Sequence, residues 1–187
     1  MQILLVCLWI VSGIFSGTIL DEPDYKNKQL LWELQKINSG TDYKELDIPE
    51  NIKQEWHGSG KYFIVNGKKS ESRIVYVYVG RVNSCRFGGC TSDIRMGNTG
   101  FEYFDYFIFY DKNHVVQLVK VFNYQASKGH EITSRGWLKQ FTGYNGKTDL
   151  RIGKQIDGIS GATISANAIC NDIQLITKRL IAIVEFK

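Results

Sequence analysis

Proline is scarce in this sequence. Only two prolines occur in 187 residues, and no segment is rich in serine and proline or of low complexity. A linker between two domains usually has such a composition, so its absence argues against an internal linker. No internal repeat is visible either, which argues against a repeat architecture.

Basic residues are not concentrated in any block. The 23 lysines and arginines are interleaved with 19 acidic residues, and the formal net charge is +4. A nucleic-acid-binding protein usually has a basic stripe or patch. We therefore predict no nucleic-acid partner.

Histidine and cysteine are few. The three histidines are scattered, and the pair Cys85 and Cys90 has no second Cys or His pair at metal-ligand spacing, so we predict no metal site. Cys7 lies in an apolar N-terminal run, which leaves an odd number of cysteines. In an oxidising compartment this favours a local bridge between Cys85 and Cys90, with Cys170 unpaired. The bridge is a candidate redox pair, although a structural bridge that tightens a Gly-Gly turn is the interpretation we favour.

Charged residues are absent from residues 3–20. Leu, Ile, Val, Phe and Trp dominate this run, whose length is at the lower edge of what spans a bilayer. It predicts export, with residues 1–20 as either a cleaved signal peptide or an uncleaved membrane anchor. We favour cleavage, although no Lys or Arg precedes the run. Residues 21–187 then form a single domain, long enough for one core without disulfides or metals.

Strand patterns dominate the middle of the chain. Runs of Val, Ile, Tyr and Phe bounded by turn residues predict strands at 61–65 and 73–82. Residues 102–110 and 115–124 predict an antiparallel hairpin around a loop of about four residues.

Helical patterns flank these strands. Apolar spacing predicts helices over residues 25–37, over residues 134–141, and from the 160–163 segment to about residue 183. In the last helix, one apolar stripe recurs at intervals of three and four. We therefore predict an α+β fold, with an antiparallel twisted sheet, a central hairpin and a long C-terminal helix packed on the sheet. The stripe consists of Ile169, Ile173, Ile176, Leu180 and Val184.

The segment Ser160-Gly161-Ala162-Thr163 opens the long helix. Ser160 is a good N-cap residue, and Gly161 and Ala162 are small enough for a bulky group to approach the backbone. A helix N-terminus favours a phosphate, because its N–H groups are unpaired and its dipole end is positive. The hydroxyl of Thr163 is therefore placed where an esterified phosphate would be stabilised. A simple capped helix start is the alternative interpretation of these four residues.

The wider segment resembles the FMN-binding domain family, which includes the C subunit of the sodium-translocating NADH:quinone oxidoreductase and the G subunit of Rnf complexes. Asp157, Ser160, Gly161, Ala162 and Thr163 match every fixed position of its flavinylation motif, Asp-x-x-Ser/Thr-Gly-Ala-Thr. The resemblance extends to residues 136–141 and to the aromatic hairpin. The N-terminal third departs from the pump subunits, so the resemblance does not imply membership of a pump complex.

The resemblance implies a role for each motif residue. Thr163 would accept FMN through the phosphate, and a separate flavin transferase would deliver it from FAD. Asp157 and Ser160 would be recognition or capping residues, and Gly161 and Ala162 would supply clearance. Ser165 is a nearby competing hydroxyl that we rank below Thr163.

Aromatic residues offer a wall for the flavin ring. We expect most of them to be core, because Phe and Tyr bury large areas. Trp137 and Tyr144 are the predicted isoalloxazine contacts, since both are near the motif and beside glycines.

The predicted function is that of an exported electron-transfer flavoprotein, periplasmic or anchored to the membrane on its outer side. It would accept electrons from a membrane-associated donor and would be an electron carrier rather than an enzyme with its own substrate, so no catalytic residue is predicted. One alternative is a flavin-dependent reductase of a small acceptor or of a disulfide, through Cys85 and Cys90. Another is a non-flavin binding or structural domain.

Overall fold

One antiparallel sheet of five strands forms the centre of the fold. The computed structural model describes residues 22–38, 40–53, 60–66, 73–86 and 101–185. Each strand pairs with the strand that follows it in the chain. The strands are β1 (Tyr43–Glu45), β2 (Gly60–Val65), β3 (Tyr76–Arg86), β4 (Phe101–Tyr110) and β5 (Val116–Tyr124).

Helices lie before, between and after the strands. A long helix ends the described part of the chain, as the apolar stripe predicts. The helices are α1 (Lys28–Asn38), α2 (Glu50–Lys53), α3 (Arg135–Leu138) and α4 (Thr163–Glu185), with 3₁₀ turns at His130–Thr133 and Lys139–Phe141. The helix predicted over residues 134–141 therefore occurs as α3 followed by a 3₁₀ turn.

The predicted hairpin is confirmed as β4 and β5. Its turn is held by Asp111, whose carboxylate accepts the N–H groups of Asn113 at 2.8 Å and Val115 at 3.0 Å. The hairpin was predicted to be central, but it lies at one edge of the sheet. β4 pairs with β3 on its other edge, and β5 has no further strand beyond it among the described residues.

The two faces of the sheet bury separate sets of side chains, because successive residues of a strand point to opposite faces. Tyr106 and Ile108 of β4 pack in the cluster that contains α4. Phe107 and Phe109 pack with Leu34 of α1 on the other face. The sheet is thus covered on both faces, and the predicted α+β class is confirmed.

The apolar stripe of α4 is buried against the sheet, as predicted. Ile169, Ile173, Ile176 and Leu180 are all 1% exposed or less, while Val184 is half-buried and its neighbour Ile183 takes the fully buried place. Full burial of one such side chain contributes about 1.5 to 3 kcal/mol. This docking fixes where the N-terminus of α4 lies over the sheet.

The short elements β1 and α2 were not predicted. They have three and four residues, which is too few for a periodic apolar pattern to be recognised. The helix predicted from residue 25 begins at Lys28, and the strand predicted at 73–82 runs from Tyr76 to Arg86.

Candidate functional site

A tight turn precedes α4. The N–H of Ala162 donates to the carbonyl of Ile159 at 3.3 Å, and Gly161 has a φ of +80°. A positive φ at the third residue of such a turn favours glycine. The carbonyl of Ala162 then accepts the N–H of Ala166 at 2.8 Å, so Ala162 occupies the capping position. The prediction that Ser160 is the N-cap is therefore wrong, because the turn delays the start of the helix to Thr163.

The hydroxyl of Thr163 is available at this helix end. Thr163 is exposed, and its hydroxyl group forms no hydrogen bond to another described residue. The N–H groups of residues 163–165 also lack an acceptor within the described part of the chain, as expected for the first turn of a helix. No acidic residue lies in that turn. An anion attached at Thr163 would meet free donors and the positive end of a 23-residue helix.

Of the other small motif residues, two are exposed and one is buried. A Cβ built on Gly161 would meet no atom within 4 Å, and Ser160 and Gly161 are both exposed. Ala162 is 2% exposed and its methyl group belongs to the core cluster under α4. Ser160 and Gly161 thus leave open space beside Thr163, while Ala162 anchors the turn.

The peptide groups of Asp157 are held from both sides. Trp137 Nε1 donates to the carbonyl of Asp157 at 2.8 Å, and Gln140 Oε1 accepts the N–H of Asp157 at 2.8 Å. The side chain of Asp157 is exposed. The motif backbone is therefore fixed at Asp157, while the Asp157 carboxylate stays accessible. No sequence pattern indicates Gln140, because it binds a backbone group 17 residues away.

The two predicted ring contacts, Trp137 and Tyr144, are both 6% exposed. The Trp137 ring meets Phe141 edge-on, with centroids 5.4 Å apart, and the carbonyl of Tyr144 accepts the N–H of Val116 at 2.8 Å. Burial raises the pKa of Tyr144, and its hydroxyl has no partner among the described residues. Both rings belong to the core cluster that contains α4, and Trp137 also contacts the motif through its hydrogen bond to Asp157. Their contact with an isoalloxazine ring stays a prediction.

A chain of hydroxyl groups lies under the first turn of α4. Ser165 is 2% exposed, and its Oγ is 2.6 Å from Ser84 Oγ and 3.2 Å from the hydroxyl of Tyr124. Burial raises the pKa of Tyr124, and the hydrogen bond with Ser165 partly opposes the rise. Sequence patterns do not indicate Ser84, because 81 residues separate it from Ser165.

Cys85 and Cys170 lie within the described ranges, whereas Cys90 does not. Cys170 on α4 is free and buried, and burial raises the pKa of its thiol. Cys85 belongs to β3, while Cys90 lies outside the described residues, so the bridge between them stays a prediction. Within the described ranges, no group of three or more His, Cys, Asp or Glu side chains could hold a metal ion.

Among the helices that the structure describes, none combines the length and the apolar character needed to cross a membrane. Residues 1–20, for which export is predicted, lie outside the described ranges.

Comparison with known families gives one match. A family model described as the FMN-binding domain matches residues 102–177, which include β4 except its first residue, β5, the motif and the first two thirds of α4. No curated protein sequence matches the chain. The matched segment contains Asp157 and Thr163, while Ser84 and Cys85 precede it.

Proposed function

Because residues 102–177 belong to the FMN-binding domain family, we propose that this flavin-binding protein is an electron carrier whose FMN is attached covalently to Thr163. The observation that carries the proposal is the exposed Thr163 hydroxyl, which has no hydrogen bond to another described residue and opens a 23-residue helix. FMN supplies the redox chemistry when bound, and the chain supplies attachment, orientation and electrostatics.

The attachment is a transfer of FMN from FAD by a separate flavin transferase. Thr163 Oγ1 forms a bond to the phosphorus of the FMN half of FAD, and the bond from that phosphorus to the bridging oxygen breaks. AMP leaves with the bridging oxygen, and the proton of the threonine hydroxyl is released. No electron is transferred in this step. The motif from Asp157 to Thr163 supports such a transferase as a partner.

The helix end would stabilise the product of this reaction. The N–H groups of residues 163–165 lack acceptors among the described residues, and a phosphodiester on Thr163 would lie beside them. The helix dipole stabilises an exposed anion at this place by about 0.3 to 1 kcal/mol. The open space beside Gly161 supports the approach of a group as large as a nucleotide.

Trp137 and Gln140 would keep the motif in one conformation during loading. Their hydrogen bonds to both peptide groups of Asp157 lower the entropy that the loop must lose when a transferase binds it. The exposed carboxylate of Asp157 remains free for recognition by that enzyme.

We further propose that the protein works outside the cytoplasm and receives electrons from a membrane-associated donor. The uncharged apolar run over residues 3–20 supports export, and it leaves open whether this run is cleaved or anchors the protein. A covalent bond suits that location, because a dissociable cofactor would be lost by dilution.

Intact mass spectrometry tests the attachment. The chain is co-expressed with a flavin transferase and compared with Thr163→Ala and with Thr142→Ala, a control at another exposed threonine. The wild-type and Thr142→Ala proteins are expected to be yellow and heavier by one FMN minus one water. Thr163→Ala is expected at its polypeptide mass. A wild-type protein that stays colourless and unmodified contradicts the proposal.

A further inference from the structure

Two hydroxyl groups in the first turn of α4 have opposite surroundings. Thr163 is exposed, whereas Ser165, two residues later, is 2% exposed. An α-helix turns by about 100° per residue, so the two side chains leave the helix about 200° apart. One therefore points to solvent and the other to the sheet.

The hydrogen bonds around Ser165 have one consistent direction. Tyr124 has a single hydroxyl hydrogen, and it donates this hydrogen to the carbonyl of Lys128 at 2.6 Å. The 3.2 Å contact between Tyr124 and Ser165 must then use the hydrogen of Ser165. Ser84, at 2.6 Å, donates in turn to Ser165. The hydrogen of Ser165 is thus already committed to Tyr124.

The backbone of Gly129 closes the space around Ser165. Gly129 is buried with a φ of +87°, and a Cβ built on it would lie 2.7 Å from Ser165 Oγ and 3.0 Å from the hydroxyl of Tyr124. Even one added methyl group would clash there. Since Ser165 is also only 2% exposed, a phosphate group, which is larger than a methyl group, would not reach Ser165 Oγ in this conformation.

The hydroxyl chain also connects three elements of the fold. Ser84 is near the end of β3, Tyr124 is the last residue of β5, and Ser165 lies in the first turn of α4. These hydroxyl–hydroxyl contacts hold the start of the helix against two strand ends, and this fixes the direction in which Thr163 projects.

We propose that position rather than residue type selects the flavin acceptor: Ser84, Tyr124 and Gly129 withdraw Ser165 from the reaction, and Ser84 and Tyr124 act as positioning residues for Thr163. This inference rests on the proposed covalent attachment of FMN.

Two variants at the acceptor position test the selection. Thr163→Ser keeps a hydroxyl at the exposed position, and Thr163→Ala leaves Ser165 as the nearest hydroxyl along the sequence. After co-expression with a flavin transferase, peptide mass mapping is expected to find FMN at position 163 in Thr163→Ser and no FMN in Thr163→Ala. Flavin on Ser165 in Thr163→Ala would overturn the proposal. So would an unmodified Thr163→Ser alongside a loaded wild type, because residue type would then decide.

A second pair of variants tests the positioning role. Tyr124→Phe removes a hydroxyl from the chain but keeps the ring stacked on Phe104, with centroids 5.5 Å apart. Tyr43→Phe is the matched control, because it removes a hydroxyl that donates to the carbonyl of Tyr25 in the cluster on the opposite face of the sheet.

Initial rates of loading are measured with purified transferase and FAD over a range of acceptor-protein concentrations. Tyr124→Phe is expected to lower kcat about fivefold, the rate factor that corresponds to the loss of one hydrogen bond, with KM little changed. Tyr43→Phe is expected to load at the wild-type rate. Equal kcat values for the two variants would refute the positioning role. A wild-type protein that is never loaded refutes the proposed function instead, so the two failures are distinguishable.

Discussion

Replacing Asp172 with asparagine should stabilise the protein at neutral pH. Asp172 lies half-buried on α4, where it accepts a hydrogen bond from the hydroxyl of Tyr106 at 2.5 Å. Burial raises the pKa of its carboxyl group from 3.8 to about 6, although the Tyr106 hydrogen bond and the charge of Arg179 act in the opposite direction. The ionised carboxylate is therefore less favourable in the folded protein than in the unfolded chain.

The size of the effect follows from the shift in pKa. A difference of about two units corresponds to about 3 kcal/mol, and solvent contact of the half-buried carboxylate reduces this to roughly 1 to 3 kcal/mol. The folded protein binds the Asp172 proton more tightly than the unfolded chain does. Below the unfolded pKa both states are protonated, and the stability that the protonated Asp172 gives is fully present. It is lost as the pH rises through the folded pKa of about 6, because the unfolded chain releases the proton more readily. Asparagine cannot ionise, so Asp172→Asn removes this loss.

Urea unfolding measured at about pH 4 and at about pH 7 tests this prediction. Asp172→Asn should be more stable than the wild type at neutral pH, and the difference should shrink toward the acidic pH. Asp149→Asn is the control, because the Asp149 carboxylate is 66% exposed in its pair with Lys178. Equal pH dependence of the wild type and Asp172→Asn, or a loss of stability at neutral pH, would refute the reasoning.

Three further variants probe the site. Trp137→Phe removes the indole donor to the motif backbone, so the free energy of unfolding should fall by about 1 kcal/mol and FMN loading should slow; loading at the wild-type rate contradicts the positioning role of the indole. Gly129→Ala should lower the melting temperature more than Gly161→Ala does, because both glycines have positive φ but only Gly129 lacks room for a methyl group. Equal decreases in melting temperature would contradict the packing around Ser165. Thr163→Ala should change stability by less than about 0.5 kcal/mol, which a urea titration checks, so loss of FMN in this variant would not result from unfolding.

Local patterns in the sequence predicted the elements in which neighbouring residues decide the structure. The hairpin of β4 and β5 needs only a short loop, and the stripe of α4 repeats at helical spacing. The motif also lies where the sequence indicated, at the start of the long helix. In each case the pattern and the structure lie within one continuous segment.

Contacts between distant segments could not be predicted in this way. Ser84 and Ser165 are 81 residues apart, and Gln140 binds a backbone N–H that any residue except proline would present at position 157. The capping position was wrong because Ser160 is a favourable N-cap in isolation, whereas the positive φ of Gly161 adds a turn before the helix.

The segment that carries the family pattern and the structural unit that carries the site have different boundaries. The matched residues 102–177 begin within β4, yet β4 pairs with β3 along most of its length. Without β3, that edge of β4 would expose unpaired N–H and C=O groups. Tyr62 of β2 also donates to the carbonyl of Ile176 at 2.6 Å, and Leu180 of α4 is fully buried beyond the matched range. The helix that presents Thr163 is therefore held by strands that lie outside the family pattern, and the site depends on them.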